Sequence, residues 1–161
     1  MRFVVGTGHV SDAALVYRAS EYAFNADPRP TTTDTSVLVN TLELRIDRST
    51  NQVVFVEGYC PYHAWKAASL SPPPHRTAAL HIADTWLERG VSVALTPRSV
   101  VRETCVDPQS GWICIRTSTN GGDAVEFAPG CVAVLESGQV RSLWLHPREL
   151  PEAILRQGIA R

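Results

Sequence analysis

Apolar and polar residues alternate along much of the chain between residues 37 and 147. The stretch 37–47 shows this alternation, and the largely apolar stretch 52–60 follows it after the polar tetrapeptide 48–51. A period of two predicts strands with one buried face, and the polar break predicts a hairpin turn with Asn51 in the left-handed conformation. The turn implies a register in which these pairs face each other: Asp47 and Gln52, Ile46 and Val53, Leu44 and Phe55.

Further strands are predicted where β-forming residues lie between turn signals. They cover residues 1–6, 77–82, 91–97, 99–107, 112–117, 123–129, 131–136 and 139–147. Short strands at a spacing of about 8–12 residues are typical of antiparallel sandwiches and barrels. We therefore predict a mainly β (or α+β) fold, a single antiparallel β-barrel or β-sandwich of about seven to nine strands with one or two short helices.

The N-terminal quarter of the chain carries helix signals. Residues 11–24 predict a helix with Ser11 as its N-cap, because alanine, leucine, arginine and glutamate favour helices. The aromatic residues in this stretch also favour strands, so strands at 15–17 and 22–24 are the alternative interpretation.

Two more short helices are suggested later in the chain. Residues 83–89 fit one or two helical turns closed by Gly90, and a helix is predicted to begin near Pro151. The length of 161 residues fits one globular domain spanning 1–161. Its expected parts are an N-terminal strand and helix (1–24), a loop (25–36), a β core (37–147) and a C-terminal short helix (148–161).

The charges along the chain are balanced and scattered. Fifteen basic and sixteen acidic residues give a net charge of −1. Nucleic-acid binding usually requires a basic stripe and membrane-surface binding a polybasic cluster, so we expect neither partner. No stretch has the length of a membrane helix or the core of a signal peptide, so we expect a cytoplasmic protein. Exposed strand edges would allow a homodimer through strand pairing.

Arginine accounts for fourteen of the fifteen basic residues, and Lys66 is the one lysine. We interpret this bias as a property of the coding sequence. The alternative is that arginine side chains recognise a carboxylate or a phosphate. The arginines do not cluster in the sequence, so the sequence alone points to no such site.

One group of residue types suits a metal ion. Cys60 and His63 flank a Pro-Tyr pair, and His75 and His81 follow. Thiolates and imidazoles are ligands that zinc prefers, so a zinc site at these four residues is one hypothesis. The spacing does not match a zinc finger, and we favour the interpretation that Cys60 ends a buried strand while the histidines lie apart on the surface. No other cofactor is suggested.

The same region offers weak candidates for catalysis. Cys60 and His63 would form a thiolate–imidazolium pair, and Glu57 is expected on the strand face that carries Phe55 and Val53. A carboxyl group in a pocket there would act as an acid or a base, although we favour a position at the rim of the core. Serine-hydrolase signatures are absent from the sequence, and the GTGH motif at 6–9 predicts a turn rather than a phosphate loop.

Two further cysteines are expected to face each other. If the residues between 107 and 112 form a hairpin loop, Cys105 lies opposite Cys114 on neighbouring strands. A cross-strand disulfide is one interpretation of this thiol pair. We favour two reduced thiols in the core, because reduced thiols are the rule in the cytosol.

Aromatic side chains mark the segment 57–86 as the expected binding region. Tyr59, Tyr62, Trp65 and Trp86 lie in it, together with three consecutive prolines. Large amphipathic rings in an irregular segment suit a binding surface, and the alternative is that they cap the open end of the β core. We predict a non-catalytic binding or accessory module for a protein partner or a small apolar ligand, with a small hydrolytic or acid/base enzyme, with or without zinc, at Cys60 and His63 as the alternative.

Overall fold

Two β-sheets make up most of the structure, a computed structural model that describes residues 1–95, 102–116 and 121–159. Strands contain 48% of the residues and helices contain 9%, so the prediction of a mainly β fold is confirmed. In chain order, the strands are β1 (Phe3–Gly6), β2 (Ala14–Arg18), β3 (Ala23–Asp27), β4 (Thr35–Val39), β5 (Leu42–Asp47), β6 (Gln52–Tyr59), β7 (Lys66–Ala67), β8 (Arg76–Thr77), β9 (Ala79–Ile82), β10 (Ser92–Ala94), β11 (Glu103–Val106), β12 (Ile113–Arg116), β13 (Asp123–Ala128), β14 (Cys131–Glu136) and β15 (Gln139–Leu145).

The two sheets have different strand orders. The first has the order β1-β9-β6-β5-β4-β10, and the β2–β3 hairpin joins it through β6. The second has the order β7-β11-β12-β15-β14-β13-β8. One of the two sheets is a half-barrel.

Both sheets are mixed, so the structure is not a single antiparallel barrel, and the purely antiparallel pairing that was predicted is wrong. The described residues form sheets of eight and seven strands, more than the seven to nine strands predicted in all. The short strands β7, β8 and β10 lie at sheet edges and pair in parallel with β11, β13 and β4, respectively. A parallel pair needs a long connection between its strands, and here several other strands lie between the two partners in the chain. Short strands of this kind leave no extended alternation in the sequence, so the pattern did not predict their pairing.

The core is shared by the two sheets. In β5 the buried Leu42, Leu44 and Ile46 alternate with half-exposed polar residues, as the period of two predicts. These side chains belong to one apolar cluster with Ile115 and Leu143 of the second sheet. The two sheets therefore pack against each other through their apolar faces.

The β5–β6 hairpin confirms the start of the predicted register and corrects its continuation. Asp47 pairs with Gln52 and Ile46 pairs with Val53, across a turn in which Asn51 has a φ of 56°. The register then shifts by one residue, so that Leu44 faces Val56 and Arg45 faces Phe55. The shift places an extra residue on β6, which is a β-bulge. A bulge leaves no clear signal in a strand of consecutive apolar residues, and the predicted Leu44–Phe55 pair is wrong.

The helix predicted at 11–24 is also wrong, and the alternative of two strands is confirmed. This stretch forms β2 and the start of β3, which are joined by a single 3-10 turn over Ala19–Glu21. Tyr22 ends that turn in the left-handed conformation, with a φ of 52°. Leu15 and Phe24 are buried in the shared core, and tertiary packing therefore outweighs the helix propensity of the local sequence.

Two further boundaries differ from the predictions. The strand predicted at 37–47 is interrupted at Asn40 and Thr41, where a tight turn separates β4 from β5. Residues 83–89 contain no helix. The predicted strands 91–97, 99–107 and 112–117 are represented by β10, β11 and β12, and the parts of these predictions at 96–101 and 117 lie outside the described residues.

The C-terminal helix α1 (Glu152–Ile159) is confirmed. Its first turn is closed by hydrogen bonds from the backbone N–H groups of Ile154 and Leu155 to the carbonyl oxygen of Pro151. Pro151 suits the start of a helix because the N–H that it lacks would have no partner there. None of the helices in the described residues has the length and apolar character needed to cross a bilayer.

Candidate functional site

The segment that follows β6 is held tightly at Cys60. Its backbone N–H donates a hydrogen bond to the carbonyl oxygen of Tyr22 at 2.7 Å, and its own carbonyl oxygen accepts one from the Tyr17 hydroxyl at 2.7 Å. The indole N–H of Trp65 points to the Cys60 sulfur at 3.3 Å. These three contacts fix the irregular segment against the β2–β3 hairpin.

An aromatic cluster surrounds this anchor. Trp65 is only 8% exposed, and its ring stacks on Phe24 and meets Tyr17 edge to face at a centroid distance of 5.0 Å. Tyr62 contacts both Tyr17 and Trp65, whereas Tyr59 is 53% exposed. The cluster joins the segment to the core, and Trp65 contributes to packing as well as to any surface.

Trp86 lies apart from the other aromatic residues predicted to bind. It is 83% exposed and lines a shallow groove with Asp34, Asp47 and Arg48. The structure thus brings Tyr62 and Trp65 into one cluster with Tyr59 at its edge, and places Trp86 elsewhere.

The structure does not bring the four predicted zinc ligands together. His63 is exposed beside the rings of Tyr22 and Tyr62. His75 lies 3.9 Å from a carboxylate oxygen of Glu126 in the second sheet. The ring nitrogens of His81 lie 3.1 Å and 3.0 Å from the carbonyl oxygens of Thr50 and Thr7, respectively. Across the described residues, no group of three His, Cys, Asp or Glu side chains is arranged to hold a metal ion.

The thiol and the carboxylate proposed for catalysis occupy different environments. Burial raises the pKa of the Cys60 thiol, and the hydrogen bond from Trp65 offsets this effect only in part. The Glu57 carboxylate accepts two hydrogen bonds from Arg29, at 2.8 Å and 2.9 Å, and lies 3.5 Å from Arg45. Glu57 is therefore an ion-paired group on the outer side of the sheet. Because of the bulge in β6, Glu57 lies on the same face of the strand as Phe55, whereas Val53 lies on the opposite face.

The predicted thiol pair is present in the register of β11 and β12. Cys105 faces Cys114, and both are buried free thiols, as are Cys60 and Cys131. Burial raises the pKa of Cys114 to about 12. At such a pKa the thiolate is scarce at neutral pH, so these residues behave as small apolar core side chains.

A cavity of about 370 Å³ opens beside the Cys60 anchor, between the two sheets. The first sheet contributes the β4–β5 turn, the segment after β6 forms one wall, and the second sheet contributes β11 and β12. The cavity is lined by Asn40, Thr41, Leu42, Cys60, Pro61, Ala64, Trp65, Lys66, Arg102, Glu103, Thr104 and Ile115. Its volume lies at the lower end of the range for small-molecule sites, which is about 300–1,000 Å³.

Arg102 is the one strongly buried cation of this cavity, with an exposed fraction of 5%. Its Nη2 donates a hydrogen bond to the carbonyl oxygen of Val140 at 2.9 Å. Its Nε and Nη1 have no hydrogen-bond partner in the described part of the chain. Burial lowers the pKa of Arg102, and the nearby positive charge of Arg141 lowers it further.

Asn40 fixes the backbone from which Arg102 extends. Its side-chain amide donates to the Arg102 carbonyl oxygen at 2.9 Å, and its side-chain oxygen accepts from the Arg102 N–H at 3.0 Å. Asn40 has a φ of 54°, a conformation that asparagine tolerates better than most residues. The turn between β4 and β5 thereby holds the start of β11.

Arg102 is not among the residues predicted from the sequence, although the sequence carries a signal for its burial. In an extended strand, residues four apart lie on the same face, and Arg102 is four residues before the apolar Val106. Val106 is buried in the shared core. The side chain of Arg102 is therefore expected on the same inner face as that of Val106.

A second, more polar cleft of about 580 Å³ lies at the loop that follows β1. The GTGH motif at 6–9 contributes to it, as do Arg29, Gln52 and His81. These polar groups already have partners: Gln52 donates to the carbonyl oxygen of His9 at 2.6 Å, His81 lies against two carbonyl oxygens, and Arg29 binds Glu57. These contacts hold the loops together and engage the Gln52, His81 and Arg29 side chains.

Comparison with known proteins adds no assignment to this geometry. No family model matches the sequence, and no curated protein matches it. The function must therefore be inferred from the chemistry of the cavity and of the residues that form it.

Proposed function

We propose that the protein is a non-catalytic binding module that takes a small, largely apolar molecule into the cavity between its two sheets. The observation that carries this proposal is the inter-sheet cavity itself, whose wall is formed by residues 60–66. This wall belongs to the segment 57–86, in which the sequence predicted binding. Ligand sites in proteins are concave and mostly apolar, with a few polar groups that orient the ligand.

The walls of the cavity suit an apolar ligand. Pro61, Ala64 and Trp65 offer the accessible apolar surface, and the fully buried Leu42 and Ile115 of the two facing sheets lie behind them. Burying apolar ligand surface against such walls contributes roughly 25 cal/mol per Å². The hydrogen bonds at Cys60 and at Asn40 hold two sides of the cavity in place, and a site that is formed in advance loses less conformational entropy on binding.

The alternative of an enzyme at Cys60 and His63 has less support. A nucleophilic cysteine is normally activated by a lowered pKa, whereas burial raises the pKa of Cys60. His63 contacts aromatic rings at the surface, and the Cys60 sulfur is contacted by the Trp65 indole. A docking surface for a protein partner is favoured less than a small-molecule site, because much of the aromatic cluster is used in packing.

A neutral fluorescent probe tests this proposal. N-phenylnaphthylamine gains fluorescence in an apolar site, and we expect it to bind the protein saturably. Ala64 is exposed and lines the cavity, so Ala64→Phe should fill the cavity mouth without disturbing the core. The matched control is Ala67→Phe, at an exposed alanine that does not line this cavity.

We expect Ala64→Phe to weaken probe binding about tenfold or more through steric overlap, and Ala67→Phe to leave it unchanged. Circular dichroism would verify that both variants remain folded. Absence of saturable binding to the unmodified protein, or equal binding by both variants, would contradict the proposal.

A further inference from the structure

The guanidinium of Arg102 is desolvated without being fully paired. Its side chain is 5% exposed and lines the inter-sheet cavity. The Nε carries one hydrogen and Nη1 carries two, so three N–H bonds lack an acceptor among the described residues. Buried donors without partners are rare in folded proteins, and buried charges are normally paired. An unpaired buried cation beside a cavity therefore points to a ligand that supplies the acceptor.

The charged groups around Arg102 leave its charge uncompensated. Lys66 and Glu103 also line the cavity, but they form an ion pair with each other at 2.6 Å. Arg141 adds positive charge near Arg102 and pairs with Glu136 at 2.8 Å. No carboxylate in the described residues forms an ion pair with Arg102. The site thus carries a net positive charge at one position of an otherwise mostly apolar cavity.

We propose that the cavity binds an organic carboxylate, whose charged end accepts hydrogen bonds from Arg102 and whose apolar body lies against Pro61, Ala64 and Trp65. This inference rests on the proposed function, because it names the class of ligand for the same cavity. Charge-assisted hydrogen bonds from a guanidinium to a carboxylate are among the strong ones in proteins.

The composition of the site selects a monocarboxylate over a more highly charged anion. One unpaired cation matches one negative charge, and most other polar side chains of the lining are already engaged, as Asn40, Thr41 and Lys66 are. A phosphate monoester would carry nearly two negative charges at neutral pH. Its uncompensated charge would be costly in a site with apolar walls.

Three molecules of equal chain length and different head-group charge test this inference. Decanoate, decanol and decylamine would each be titrated into the complex of the protein with N-phenylnaphthylamine, and displacement of the probe would be measured. We expect decanoate to bind about tenfold or more tightly than decanol, as one or two charge-assisted hydrogen bonds predict. Decylamine should bind more weakly than decanol, because its ammonium group would face Arg102.

Variants locate the charge that recognises the carboxylate. Arg102→Met should remove the preference for decanoate over decanol while retaining binding of the neutral probe. Arg89→Met is the control, since it deletes the charge of an exposed arginine that does not line the cavity, and it should keep the preference. Arg102→Lys retains the charge but not the planar set of donors, so it should reduce the preference without reversing it. If Arg102→Met does not fold, Arg102→Lys tests the role of the guanidinium on its own.

The outcomes separate this inference from the proposed function. If the unmodified protein does not bind the probe, the proposed function fails. If it binds the probe but shows equal affinity for decanoate and decanol, the proposed function stands and the carboxylate inference is overturned. The inference is also overturned if the variants at Arg102 keep the full preference, or if Arg89→Met removes it.

Discussion

The side-chain amide of Asn40 bonds both the N–H and the carbonyl oxygen of Arg102, although 62 positions separate these residues in the chain. Asn40 lies in the turn between β4 and β5 of the first sheet, and Arg102 immediately precedes β11 of the second. A side-chain amide offers one donor and one acceptor, and here both are used on the same residue. The contact couples the two sheets at the cavity that we propose to bind the ligand.

Asn40→Gly should destabilise the protein by about 2 kcal/mol, because two partly buried hydrogen bonds are lost. Glycine tolerates the positive φ of this position, so the substitution isolates the hydrogen bonds from the turn. Asn51→Gly is a matched control at another asparagine of similar φ, 56°. Urea-induced unfolding measures both variants, and equal losses of stability would contradict this role of the Asn40 amide.

Trp65 and Trp86 provide a second contrast between packing and exposure. Trp65 is 8% exposed and stacks on Phe24, so Trp65→Ala should cost about 3–5 kcal/mol of unfolding free energy. Trp86 is 83% exposed, so Trp86→Ala should change stability by less than about 0.5 kcal/mol. Thermal or urea unfolding of the two variants checks the assignment. A small loss at Trp65 would mean that its ring is free to serve a binding surface alone.

Short turns between β-forming segments predicted the strands that pair as hairpins. The segments that became β14 and β15 flank a short turn at Ser137 and Gly138, and β14 matches its predicted range of 131–136. The edge strands β7, β8 and β10 could not be predicted in the same way. They have only two or three residues each, and distant segments fix their parallel pairing.

The candidate site was predicted in part. The segment after β6 was identified by its aromatic residues, but Arg102 lies some forty positions further along the chain. Arg102, Asn40 and Trp65 line the same cavity because of how the two sheets pack. No short window of sequence contains this information. The histidines were grouped because they are close in sequence, whereas His75 and His81 lie against different partners in the fold.

The four thiols should react slowly in the folded protein. Raising the pKa of Cys114 from 9.0 to about 12 lowers its thiolate fraction at neutral pH about a thousandfold, and burial raises the pKa of the other three as well. We expect iodoacetamide to label all four cysteines quickly in urea and none of them quickly in buffer. Mass spectrometry after timed labelling assigns each rate. Selective fast labelling of Cys60 in the folded protein would favour the alternative of a catalytic thiol.

The carboxylate of Asp107 organises the hairpin between β11 and β12. One of its oxygens accepts a hydrogen bond from the Leu70 N–H at 3.0 Å, and the other accepts from the N–H groups of Gln109 and Ser110 at 2.9 Å and 3.3 Å. Burial by itself raises the pKa of Asp107, but these backbone donors outweigh it and hold the pKa below its ordinary value. The folded state therefore favours the ionised form.

Asp107→Asn should destabilise the protein by about 1–3 kcal/mol at neutral pH, because an amide nitrogen then faces a backbone donor. A lowered pKa in the folded state means that the unfolded chain takes up the proton first as the pH falls. The contribution of Asp107 is thus complete above the unfolded pKa of about 4 and disappears as the pH falls through the lower folded value. The difference in unfolding free energy between the unmodified protein and Asp107→Asn should therefore shrink over this acidic range. Urea unfolding at several pH values measures it.

Asp123→Asn, at an exposed ion pair with Arg76, is the control and should change stability little at any pH. A difference in unfolding free energy for Asp107→Asn that is independent of pH would contradict the role assigned to its charge.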